Sequence, residues 1–107
     1  MGRMVRMMHI IWRFRAKPDR VEHFRRTYGC DGDWAKLFAR SPEYQGTVLL
    51  QDTADPLFFV VIDRWSNVDS FTSFQQQFRQ EYEALDQQCL DLTDVETLIG
   101  NFTELPA

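Results

Sequence analysis

At 107 residues the chain is one domain by length, taken as 1–107, and it can bury a sizeable core without disulfide or metal staples. Its formal charge of −4, with twelve Lys and Arg against sixteen Asp and Glu, leaves no basic stripe for nucleic acid. Cys30 and Cys89 lack metal-ligand spacing, the start MGRMVRMMHIIW lacks a signal peptide's apolar run, and no stretch approaches the roughly 20 residues of a membrane span. The expectation is a cytoplasmic, reduced protein with no nucleic-acid and no membrane partner.

The first element reads as a strand from Val5 to Arg15. Met8, Ile10, Trp12 and Phe14 fall on one face, and Val5, Met7, His9 and Ile11 on the other, so both faces are largely apolar. The arginines of this stretch, Arg3, Arg6, Arg13 and Arg15, read as charged ends of a strand. Pro18 suits the first turn of a helix that carries Val21, Phe24 and Tyr28 and stops at Gly29. Asp31 or Asp33 can cap a second short helix with Trp34, Leu37 and Phe38 on one stripe, ended by Ser41-Pro42.

Tyr44 to Gln51 reads as a second strand and Leu57 to Trp65 as a third, joined into an antiparallel hairpin by the turn residues 52–56. In the third strand Phe58, Val60 and Ile62 share one face; Phe59, Val61 and Trp65 share the other with Asp63. Val68, Phe71, Phe74, Phe78, Tyr82, Leu85 and Cys89 then step at helical spacing, predicting one continuous helix opened by a capping-box-like Ser66 and Asp69. A loosely alternating segment from Val95 to Leu105 closes the chain as a fourth strand.

The order β-α-β-β-α-β, with the first helix broken in two, is a ferredoxin-like α+β arrangement around an antiparallel four-stranded sheet. Helices cover one face of such a sheet. The other face is apolar as well, and a homodimer through sheet faces is the simplest cover.

Three passages carry a family resemblance: Phe14-Arg15-Ala16-Lys17-Pro18, Asp63-Arg64-Trp65-Ser66-Asn67 followed by Phe71, and Ile99-Gly100-Asn101-Phe102. They resemble the antibiotic biosynthesis monooxygenase-like domains of the dimeric α+β barrel superfamily, from about Val5 to Leu105. The resemblance implies a cofactor-independent monooxygenase-like protein acting on a small aromatic or polyketide-type substrate in an apolar cavity. A non-catalytic small-molecule binding dimer of the same fold is the alternative, and haem degradation a third.

The haem reading expects an axial histidine on the second helix and an asparagine in the first strand. Gln75, Gln76 and Gln77 stand where that histidine belongs, and Ile11 at the strand position, so no cofactor and no metal is expected. Trp65 matches a family position that lines the ligand cavity, where a planar ring can stack. Ile11, Tyr28, Phe59 and Phe74 complete the candidate substrate-binding set, for a small apolar or aromatic ligand. His9, mid-strand among apolar residues, is the candidate catalytic group, able to move a proton near neutral pH; which face of its strand lines the cavity is open. Asp63 reads as an ion-pair partner of Arg13 or Arg15, or as a loop cap. Tyr28 and Tyr44 read as packing residues with their hydroxyls at the surface.

Overall fold

A computed structural model describes residues 6–106. The elements run β1 (Met8–Ala16), α1 (Val21–Tyr28), α2 (Asp33–Phe38), β2 (Tyr44–Gln51), β3 (Phe58–Trp65), α3 (Val68–Gln77), α4 (Arg79–Gln88) and β4 (Thr93–Thr103). The expected strand start at Val5, and Arg3 of the basic stretch, lie outside the described residues. The sheet order is β2-β3-β1-β4, all antiparallel, which is the ferredoxin-like α+β fold with the first helix in two pieces.

Period-two alternation assigns the faces. On β1, Met8, Ile10, Phe14 and Ala16 are buried under the helices; on β3, Phe59, Val61, Asp63 and Trp65 are. His9, Ile11, Arg13 and Arg15 therefore share the opposite, open face with Phe58, Val60 and Ile62. That open face is where the arginines find partners: the Arg13 guanidinium lies 3.9 Å over the Phe58 ring, and Arg15 pairs with Asp94. Neither reaches Asp63, whose side chain leaves β3 on the opposite, helix-covered face.

The expected carboxylate cap of the second short helix is absent. Gly32 stands at that N-cap with no side-chain hydrogen bond. A Cβ there would sit 2.4 Å from the Thr27 carbonyl oxygen, so α2 packs against the end of α1 only because the junction is glycine. At α3 the cap is Asn67, whose side-chain oxygen accepts from the Asp69 and Ser70 amides at 3.1 and 3.0 Å. Ser66 instead donates to the Glu43 carbonyl.

The single long helix expected from Val68 to Cys89 is also two. Phe78, at φ −112° and ψ 35°, leaves the helical region, although hydrogen bonds from Phe78 to Phe74 and from Tyr82 to Phe78 carry across. The Phe78 ring lies on Phe74, with centroids 5.1 Å apart, and beyond the bend Tyr82 and Leu85 pack against the core. No residue of α4 is fully buried.

Candidate active site

Between the helix-covered face of the sheet and the helices lies a cavity of about 40 Å³. β1 supplies Ile10, Trp12 and Phe14, and β3 supplies Val61 and Asp63. Tyr28 comes from the end of α1, Trp34 and Phe38 from α2, Phe71 from α3, Tyr82 and Asp86 from α4, and Glu96 from β4. The walls are aromatic because α1 and α2 bury rings at helical spacing over strands that alternate rings with branched residues. Trp34 meets Tyr82 edge-on at 5.1 Å, and Phe38 meets Trp65 edge-on at 5.5 Å.

Asp63 is the unusual member. Only 8% exposed, it accepts a 2.7 Å hydrogen bond at Oδ1 from the Thr47 hydroxyl, its cross-strand neighbour. Since Thr47 spends its proton on Asp63, the Tyr44 hydroxyl donates to Thr47, giving a Tyr44–Thr47–Asp63 chain. Among the described residues no Lys, Arg or His pairs with this carboxylate, nor with Asp86 or Glu96. Burial raises the Asp63 carboxyl to about 6, with the Thr47 bond opposing the rise.

Neighbouring groups move the same way. Burial, then the nearby Cys89 thiol, pushes the Tyr28 phenol upward; burial, then Asp86, does the same to Tyr82 and to the Glu96 carboxyl. The cavity thus favours neutral hydroxyls and resists further negative charge. Two buried indole N–H groups, of Trp34 and Trp65, have no hydrogen-bond acceptor, and that of Trp34 belongs to a cavity wall.

Of the residues singled out by sequence, Tyr28 lines the cavity, and its ring is buried where a surface hydroxyl was expected. Phe59, Trp65 and Phe74 stand one layer back: Trp65 packs on Phe38 and Phe71, which do face the cavity, and Phe59 packs on Phe24. His9 and Ile11 are on the open face. His9 Nε2 lies 2.7 Å from Glu104 Oε2, and Ile11 pairs with Ile62 across β3. The sequence had drawn attention to Asp63 without giving it this place; the available signal was its shared face with Val61 and Trp65.

The family profile of antibiotic biosynthesis monooxygenases matches residues 7–84. The chain belongs to this family. Its fold is shared by a candidate antibiotic biosynthesis monooxygenase of Nitrosomonas europaea, with TM-score 0.72, 16% identity, and coverage of 98% of this chain and 96% of that one. It is shared too by PA3566 of Pseudomonas aeruginosa, at TM-score 0.71, 17% identity and 98% and 100% coverage. SnoaB of Streptomyces nogalater, described as a cofactor-independent oxygenase, aligns at TM-score 0.63 and 25% identity, covering 95% of this chain and 96% of that one. No curated protein matches the chain. Among the described residues, no helix of this family member is long and apolar enough to cross a membrane.

Proposed function

We propose that this antibiotic biosynthesis monooxygenase family member is a cofactor-independent oxygenase whose internal cavity takes a small hydroxyaromatic substrate. The observation that carries the reading is Asp63, a carboxylate without a cationic partner in an aromatic-walled cavity. Held by Thr47 at Oδ1, it takes the substrate's hydroxyl proton. The electron-rich ring then reduces dioxygen, a carbon–oxygen bond forms, and the resulting hydroperoxide loses water. The peroxide takes the proton back from Asp63. Asp63 then removes the hydrogen of the oxygenated carbon as the O–O bond breaks, so that one oxygen atom becomes a carbonyl of the quinone product and the other leaves as hydroxide, which takes that proton to become water.

The cavity has room for only a few waters, so a ring enters by displacing a wall. α4, with no fully buried residue and a bend at Phe78, is the element that yields. A twofold dimer through the open sheet faces belongs to the same reading, supported by the apolar side chains those faces carry.

A binding role without turnover is the second reading, and one observation favours it. No Lys, Arg or His lines the cavity, so neither a phenolate nor superoxide would meet a stabilising protein cation. Oxygen uptake with hydroxynaphthalenes and anthrones separates the two. The oxygenase reading expects one O2 consumed per quinone formed, a rate that rises with pH through about 6, and a loss of roughly 10²–10⁴-fold in Asp63→Asn. Saturable binding with no oxygen uptake, the same in both proteins, would establish the binding role instead.

A further inference from the structure

We infer that the cavity selects an aromatic ligand carrying a positively charged amine, whose ammonium group sits between Asp86 and Glu96. This rests on the reading of the cavity as a hydroxyaromatic site and names the class of molecule it takes.

The first observation is the charge balance. Asp63, Asp86 and Glu96 line the cavity, no basic residue does, and none of the three is in an ion pair among the described residues. In a chain with twelve Lys and Arg, a cavity facing three carboxylates and no cation presents a concentrated negative potential. Several acids elsewhere do have a basic partner: Asp94 has Arg15, Asp91 has Arg20 and Glu81 has Arg40. These three do not cluster as metal ligands, because no group of three or more His, Cys, Asp or Glu side chains among the described residues is placed to hold a metal ion. The charge therefore complements an organic cation.

The second observation is the wall between them. Trp12, Trp34 and Tyr82 line the same space, and the face of an electron-rich ring attracts an ammonium group. The third is the placing of the acids. Asp63 is opposite Ile10 on β1, while Glu96 is opposite Phe14, four residues further along the same strand. That is about 13 Å of strand, so the acids mark two ends of one cavity. Asp63 is buried and engages a hydrogen bond through one oxygen only; Asp86 and Glu96 are exposed at the mouth. The buried, half-engaged Asp63 receives a hydroxyl, and the solvated pair holds a cation without full desolvation. A substrate-borne ammonium also brings into the cavity the positive charge that the protein does not supply for a phenolate or superoxide.

The test is calorimetric titration at pH 7.5 and low salt with tyramine, neutral 4-ethylphenol and anionic 3-(4-hydroxyphenyl)propanoate. Tyramine should bind roughly tenfold or more tightly than 4-ethylphenol, and the anion most weakly. Glu96→Gln and Asp86→Asn, both at exposed positions that leave the core intact, should each narrow the gap between tyramine and 4-ethylphenol severalfold, as should added salt. Equal affinity for tyramine and 4-ethylphenol, or tightest binding of the anion, would overturn the inference while leaving a hydroxyaromatic site in place. A tyramine preference untouched by both substitutions would place the cation elsewhere and overturn it equally. No binding of any of the three would remove the site itself.

Discussion

The role proposed for Asp63 sets function against stability. Its carboxyl rises from an ordinary 3.8 to about 6 on burial. Between those values the native chain holds a proton that the unfolded chain has released. The associated stability is therefore complete below about pH 4 and is lost as pH rises through 6. At pH 8 the buried charge costs on the order of 3 kcal/mol, at 1.36 kcal/mol per pH unit of displacement. Asp63→Asn keeps an acceptor for the Thr47 hydroxyl and removes the charge. It should raise Tm on the order of 10 °C at pH 8 and by little at pH 4, while oxygen uptake falls. A thermal shift of the same size at both pH values would mean that ionisation at Asp63 is not what changed. This residue also marks the limit of what the sequence discloses. Alternation put Asp63 and Trp65 on one face of β3 and His9 and Ile11 on one face of β1. With apolar residues on both faces, nothing in the pattern said which faced the helices. That ambiguity covered His9 as well, whose ring is on the open face, 2.7 Å from Glu104.

The elements themselves were legible in proportion to how local their causes are. β2 ends where turn residues begin, and α1 stops at Gly29, as expected from composition. The bend at Phe78 was not legible, since Phe74, Phe78 and Tyr82 keep helical spacing straight through it. Past the bend, Tyr82 meets Trp34 of α2, a contact distant in sequence that the helical spacing does not disclose. Nor was α2's reliance on Gly32, which depends on how closely it approaches Thr27. The bend divides a helix capped by Asn67, with Ser70 and Phe74 buried, from one with no buried residue and no side-chain cap. Local opening follows buried contacts. In hydrogen exchange, α4 amides should therefore lose protection before those of α3, and binding of a hydroxyaromatic should slow α4 most, because Tyr82 and Asp86 are its share of the cavity. Uniform protection across residues 68–88, unchanged by ligand, would show that another wall gives way.

At the scale of the whole molecule the chain is a slab, 53 by 34 by 20 Å, and its shortest extent holds just one sheet and one helix layer. The Cα radius of gyration is 14.5 Å, above the roughly 13 Å of a globule this long. The helix layer covers one side, leaving Val48 and Leu50 of β2 39% and 48% exposed on the other, with Phe102 of β4 46% exposed at the opposite edge of the sheet. Between them Ile11, Val60 and Ile62 are only half covered. Arg13 and Arg15 shade part of this face and keep it from being wholly apolar, but their partners are Phe58 and Asp94, not the residues at its centre. Apolar area kept from water is worth about 25 cal/mol per Å², and a second copy related by a twofold axis lets the same patch cover itself. Light scattering at micromolar concentration should therefore report a dimer. Ile62→Lys, at the centre of the open face, should yield monomer or precipitate, whereas Val68→Lys, equally apolar and 55% exposed but on the helix layer, should leave the dimer intact. Dissociation by Val68→Lys alone would move the contact to the helices. A wild-type monomer that remains in solution at that concentration would mean that Arg13 and Arg15 suffice to keep the face open.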